Sequence, residues 1–400
     1  MQEVFIGRQA VFDRKKNVTS YELLFRDGTG KMGDDDDYMT SKVLVSALMD
    51  IGLDHISDGK MVHINASTSF LLGGMIHVLP AGKVSIEVLE TVPVTEEVIE
   101  ACNTLKEKGY HIMLDDVVYA PDLKPLAELA DVIKVEVPMV DDLAEDVRIL
   151  KEFNVKLLAE KVETYEEYKL CYDLGFDYFQ GYFFCKPEVI RDKTMPDSKA
   201  IILRALQKVI TTDDVKDIQS IVKQDVSLSY RLLKYINSAA FALRKEVESI
   251  EQALVLLGLR NVQRWLLLLS LSTLGSDKPS ELIRTALYRG YFLESLAKAL
   301  HEDEAGDDFL LGMFSILDAL LDLPMDKAIE NMVLPKRVHD ALLSDRADMS
   351  FKLQLVRHLE LGRWSEIIWD KDKFGKLDVR DVLNLHTTAM TWSDQHMRML

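Results

Sequence analysis

Eight short β-rich runs punctuate the first half of the chain: VFIGRQ, VTSYELLF, MVHINAS, KVSIEVLE, HIMLDD, DVIKVEV, VKLLAEKV and YFQGYFF. Between several of them lie amphipathic stretches, such as 96–108 and 163–174. Strands alternating with helices at regular spacing imply βαβ units and a parallel sheet. About eight such runs in one domain favour a closed (β/α)8 barrel over an open sheet. From about Met195 onward the pattern changes. Leu228, Leu232 and Ile236 recur four apart, which is helical periodicity, and 250–274, 281–300, 308–321 and 334–343 also read as helices. The expected fold class is α/β plus all-α. A TIM-like barrel fills residues 1–195, and an all-helical domain with a C-terminal helical extension fills 196–400. The boundary should fall in 186–197, which carries Pro187, Pro196 and several charges.

Composition adds bounds to this picture. A chain of 400 residues is long enough for two domains with full cores. With 48% hydrophobic and 28% charged residues, 10 prolines and no low-complexity tract, a largely disordered chain is not expected. The net charge of −18 repels a phosphate backbone, so no nucleic-acid partner is expected. A small anionic ligand stays admissible where a cation or an arginine holds it. Cys102, Cys171 and Cys185 are odd in number and lack CxxC spacing. They read as reduced cysteines rather than a disulfide framework or zinc knuckle. Met1-Gln2-Glu3-Val4 opens no signal peptide, and the longest apolar stretch, 265–274, is too short to span a bilayer. That stretch reads as a buried helix, in a chain expected to be soluble, cytoplasmic and without a membrane partner.

Acidic residues recur at one place in the β-runs. Glu22, Asn65, Glu87, Asp115, Asp116, Glu136 and Glu160 lie within or at the end of a run. In a (β/α) barrel, sites gather at the carboxyl ends of the strands, so these groups should converge. Unpaired burial would cost several kcal/mol each, which calls for a cation. Carboxylates with one amide oxygen form a hard donor set suited to Mg²⁺ or Mn²⁺. Adjacent Asp115 and Asp116 suit a two-metal arrangement for attack by water on a phosphodiester. For any single acid the alternative is a solvated loop residue.

From about Phe5 to Pro187 the chain resembles the EAL domain family, cyclic-di-GMP phosphodiesterases and their inactive relatives. The matching segments, in order, are Tyr21-Glu-Leu-Leu-Phe-Arg26, Asn65 in HINAS, Glu87-Val-Leu-Glu90, Asp115-Asp-Val-Val-Tyr-Ala120, Lys134-Val-Glu136, Ala159-Glu-Lys-Val-Glu-Thr164 and Gln180-Gly-Tyr182. The resemblance implies an EAL-type modified barrel. It implies a first metal on Glu22, Asn65, Glu87 and Asp115, and a second on Asp116. Lys134 would orient the water, Glu160 would act as general base, Arg26 would meet a ligand phosphate, and Gln180 would support the metal-site waters.

Four positions depart from the family pattern. Leu23 replaces the alanine of EAL, and Val117, Val118, Tyr119 and Ala120 replace the FGTG that follows the paired aspartates. Side chains there take positive φ poorly. Glu136 replaces the aspartate of KID, and Lys161 replaces the glycine of AEGVET. The Lys161 ammonium either lies among the carboxylates, replacing part of the metal charge, or projects to solvent.

The second half resembles the HDOD domain, a helical relative of HD-type phosphohydrolases, over about Lys199 to Leu343. The matching text is Ile221-Val-Lys-Gln-Asp-Val-Ser-Leu228, Leu233 to Asn237-Ser238, Ile250-Glu-Gln-Ala253 and Leu257-Gly-Leu-Arg260. Val226 stands where the family has proline. The metal-holding His-Asp doublet of HD enzymes corresponds to Ser315 and Ile316 within 312–318, so no such site is expected. His339-Asp340 reads as a surface doublet, and His63 and His111 as core or rim residues. The run 34–37 lacks EF-hand spacing and reads as a solvated loop. No dinucleotide fingerprint, P-loop, zincin or nucleophile-elbow motif is present.

The leading expectation is a cyclic-di-GMP signalling protein. Its catalytically impaired EAL barrel acts as receptor or scaffold, and its HDOD half contacts an unidentified signalling protein. The alternative is an active, Mg²⁺- or Mn²⁺-dependent phosphodiesterase giving pGpG, regulated by the HDOD half. A homodimer is compatible with either.

Overall fold

The computed structural model describes residues 4–27, 52–116, 121–140, 142–183, 197–212, 214–224, 226–237, 247–363 and 366–398. Eight strands close into a barrel in chain order. They are β1 Val4–Asp13, β2 Val18–Asp27, β3 Met61–Ala66, β4 Val84–Val88, β5 His111–Leu114, β6 Val132–Glu136, β7 Lys156–Glu160 and β8 Tyr178–Gln180. Each corresponds to one of the eight runs in the sequence. The expectation of a wholly parallel sheet needs one correction. Strands β2 to β8 pair in parallel, but β1 runs antiparallel to both β2 and β8. The cause is local. Asp13 accepts backbone hydrogen bonds from Lys15 and Asn17, and Lys16 takes φ 61°. The chain thus reverses in a tight turn, where a parallel pair would need a long crossover.

Alternation along the strands separates two faces. Outward residues such as Val62, Ile64, Ile86, Ile112, Ile133, Val135 and Leu157 are fully buried under the surrounding helices. The inward face is layered. Val11, Met113 and Leu158 form a small apolar plug. Beside it, His63 Nε2 lies 2.6 Å from Ser20 Oγ. Higher up come Glu22, Glu87, Lys134, Glu160 and Gln180, all buried. Helices Glu96–Glu107 and Tyr165–Leu174 begin on threonine caps. Thr95 accepts from Val98 N–H, and Thr164 forms a capping box with Glu167, which stabilises such a helix start by about 1 kcal/mol.

From Asp197 onward every described element is helical. The segment 250–274 was expected as one helix and is two, Ile250–Leu257 and Leu259–Leu274. Gly258 takes φ 76°, and the two axes meet at 109°. The expected helix at 308–321 is likewise divided, into Ala305–Phe314 and Leu317–Leu321. Asn237, which ends the helix Val226–Ile236, donates to Val247 O and accepts from Val247 N–H at 2.9 and 2.8 Å. That clamp ties the end of this helix to the chain just before Ile250–Leu257. The stretch 265–274 is a buried helix as expected, with Trp265, Leu266, Leu267, Leu268, Leu269, Leu271 and Leu274 in the core. Among the described residues, no single helix is long and apolar enough to cross a membrane.

The helical half packs on the barrel through buried charge. Arg8 of β1 grips Asp394 of helix Val379–Met397 with two bonds, at 2.8 and 2.6 Å. Arg284 of helix Ser280–Ala299 bonds the same carboxylate and also Glu281 at 3.0 Å. Tyr21 Oη of β2 reaches Glu281 at 3.2 Å. Beside this cluster, Tyr182 Oη donates to Glu360, itself held by Arg289 at 2.7 Å.

Candidate functional site

The inward residues at the carboxyl ends of the parallel strands meet in one pocket. Lys134 of β6 stands at its centre, with only 2% of its side chain exposed. Its Nζ donates to Glu87 of β4 and lies 3.4 Å from Glu22 of β2, 3.0 Å from Asp115 after β5 and 2.7 Å from Glu160 of β7. Gln180 of β8 donates to Glu22 at 2.5 Å and to Gln9 Oε1 at 3.1 Å. Asn65 of β3 lies 3.5 Å from Glu22. Asp116 and Glu160 share a hydrogen bond. Seven strands therefore contribute to the pocket, and eight of the nine candidate residues converge there. The ninth, Arg26, lies in β2 opposite Phe5, but its side chain is outside the described residues, as are all of 117–120, the calcium-like run 34–37, Cys185 and, save Asp197, the boundary segment 186–197.

Electrostatics follow from burial. Burial alone would pull the Lys134 ammonium down, yet Glu22, Glu87, Glu160 and Asp115 together hold it well above the usual lysine range, so it stays charged. One ammonium cannot balance four carboxylates, of which Glu22, Glu87 and Glu160 are buried and Asp115 is partly so. Burial pushes Glu87 and Glu160 well above the usual carboxylate range, with the Glu22 charge adding to the rise and Lys134 opposing it. Asp116 is also raised, first by burial. Below this layer, burial holds His63 near a pKa of about 3, so it is a neutral core residue. His111 is an exposed rim residue.

The donor set fits a hard divalent cation. Asn65 Oδ1, Glu87 Oε2 and Asp116 Oδ1 are buried without a hydrogen-bond partner, a costly state for polar oxygens. Asp115, Asp116 and Glu160 offer ligand oxygens within 4.8 Å of one another. Oxygen-only chemistry of this kind suits Mg²⁺ or Mn²⁺.

Lys161 takes neither of its two expected courses. Its side chain is 54% exposed, but its ammonium donates to Glu136 and lies 3.9 Å from Asp116 Oδ2. It caps the pocket rim rather than entering the central carboxylates. Sequence reasoning missed Gln9, which links Gln180 to the pocket wall. The available signal was alternation: Gln9 pairs with Glu22 across β1 and β2, which places it on the same inward face. Gly181, next to Gln180, has φ 144°, and a Cβ there would stand 2.1 Å from Val162 O. Only glycine lets β8 pass so close to the turn after Glu160.

In the helical half, Ser315 Oγ donates to Gly312 O at 2.7 Å and accepts from Arg289 at 2.9 Å, and Ile316 is in the core. Gly312 lies against the backbone of Arg289 and Gly290, so two helices touch at this point. His339 and Asp340 are an exposed pair 3.5 Å apart.

Comparison with known proteins agrees with this architecture. Residues 69–187 match the EAL domain family and 194–340 the HDOD domain family. The chain is 31% identical to YuxH of Bacillus subtilis, covering 97% of this chain and 98% of that protein. It is 30% identical to the cyclic di-GMP phosphodiesterase CdgJ of Vibrio cholerae, covering 100% and 94%. Among solved structures, Klebsiella pneumoniae BlrP1 in its calcium/cyclic-di-GMP complex aligns at 24% identity and TM-score 0.38, over 45% of this chain and 54% of that one.

Proposed function

This chain belongs to the family of proteins that join an EAL domain to an HDOD domain, and we propose that it is a cyclic-di-GMP signalling protein whose barrel binds the dinucleotide with a divalent cation and hydrolyses it slowly. The observation that carries this reading is the convergence of Glu22, Asn65, Glu87, Asp115, Asp116, Lys134, Glu160 and Gln180 in one pocket with buried oxygens left over. Glu22, Asn65, Glu87 and Asp115 would hold the first cation and Asp116 a second, in the barrel domain 1–195. Bound Mg²⁺ or Mn²⁺ would polarise the phosphodiester and acidify water. Arg26 would meet a phosphate of the ligand.

The chain's own groups would do the rest. Lys134 holds Glu22, Glu87, Asp115 and Glu160 in one cluster, so their geometry is set before a ligand arrives. Gln180, braced by Gln9, donates to the same Glu22 oxygen that Lys134 approaches. Glu160 is raised by burial above the usual carboxylate range and stands where it could exchange a proton with water. Slow turnover follows from the rim, where Lys161 sits beside Asp116. The helical domain 196–400, with Ser315 and Ile316 in place of a His-Asp doublet, would contact a partner protein.

A second reading, full phosphodiesterase activity to pGpG, is favoured by the completeness of the set and by the 30% identity to CdgJ. Incubation with cyclic-di-GMP and Mg²⁺ or Mn²⁺, followed by anion-exchange chromatography, separates the two. We expect bound, largely intact dinucleotide. Many turnovers per minute, abolished by Glu22→Gln, would establish the second reading instead.

A further inference from the structure

Two of the six non-glycine residues with positive φ among the described residues, Asp116 at φ 40° and Lys161 at φ 53°, face one another across the pocket rim. An L-residue in this region is strained where glycine is not, so the lysine needs a compensating interaction. It finds one in Glu136, the last residue of β6, which accepts from its ammonium. Glu136 and Glu160 are register partners at the ends of β6 and β7, so the lysine that follows Glu160 is well placed to reach the neighbouring strand. That bond turns the side chain back over the rim. It sets Nζ 3.9 Å from Asp116 Oδ2, at the edge of the oxygen cluster formed by Asp115, Asp116 and Glu160.

We propose that Lys161 acts as a tethered resident cation at the Asp116 end of the pocket, so that the site loads one divalent ion readily and a second only weakly. The proposal rests on the reading of the pocket as a divalent-cation site. The physical reason is local. The ammonium offsets part of the negative charge of Asp116 and Glu136 that would draw in a second ion, and it repels any ion held between Asp115 and Asp116. Lys134 cannot substitute for it, because it is already committed to Glu22, Glu87, Asp115 and Glu160. Being covalently attached, Lys161 competes at an effective concentration set by its short tether rather than by the concentration of any free ion. It is therefore a specificity-determining residue, which selects single occupancy.

The test is a Mn²⁺ titration of the full chain without nucleotide, with free Mn²⁺ read by electron paramagnetic resonance. Wild type and Lys161→Arg should bind one ion tightly. Lys161→Ala and Lys161→Gly should gain a second site, tighter than in wild type by about 10–100-fold, the range in which outer-shell partners tune metal affinity. The glycine variant also relieves the backbone strain, so it guards against an effect of misfolding. Two equally tight ions in wild type, or one ion in all four proteins, would overturn the proposal while leaving the divalent-site reading intact. No ion in any of them would overturn both.

Discussion

Replacing Lys134 with methionine should lower the stability of the ion-free protein by about 3–5 kcal/mol, the cost of removing one partner from a buried charge cluster. Among the described residues, Lys134 is the cation that pairs with Glu22, Glu87, Asp115 and Glu160, and it is itself almost wholly buried. Methionine fills most of its volume, so packing loss is small and the charge effect dominates. Glu22, Glu87, Asp115 and Glu160 would then face each other in a water-poor pocket, and protons would neutralise only part of the repulsion. A divalent ion supplies the missing charge. Denaturant unfolding in EDTA should show the large loss, and Mn²⁺ should recover much of it, because binding to the folded state alone adds stability. A variant as stable as wild type in EDTA would contradict the central role assigned to this lysine.

Asp394→Ala should have a comparable effect by a different route. Asp394 is 7% exposed at its side chain and accepts from both Arg8 and Arg284. Its removal takes the carboxylate from Arg8 and leaves Arg284 with Glu281 and Asp58 only, at the junction of barrel and helical half, and breaking such a buried pair costs about 3–5 kcal/mol. Two consequences are expected together: a lower unfolding midpoint, and faster proteolytic separation of the two halves. Asp394→Asn, which keeps hydrogen-bonding oxygen but not charge, should fall between. By contrast, breaking the fully exposed pair of Arg148 and Glu145 should leave the midpoint where it is. If Asp394→Ala unfolds like wild type, the charged junction does not hold the halves together.

Much of this was readable in the residues. The eight runs gave eight strands because alternation and β-branched content act locally. The acids came together because strand ends of a parallel barrel share one face, a rule that needs no knowledge of side-chain contacts. What escaped was set by tertiary context. The antiparallel β1 depends on the turn at Asp13–Asn17, whose hydrogen bonds look like any polar loop. The bend at Gly258 was hidden because apolar spacing continues on both sides of it, and a lone glycine does not always stop a helix. Arg8 and Asp394 are 386 positions apart, and no local pattern couples them. Lys161 could be flagged as a departure, but its bond to Glu136 depends on the register of β6 with β7.

Calorimetric titration with cyclic-di-GMP, with and without Mn²⁺, tests most directly whether the convergent acids form a divalent-dependent dinucleotide site. Wild type should bind about one dinucleotide per chain in Mn²⁺, and far more weakly in EDTA. Glu22→Gln, which keeps the shape of the pocket but removes one ligand charge, should lose about 10–100-fold in affinity. Equal binding with and without the ion, or binding untouched by Glu22→Gln, would contradict it.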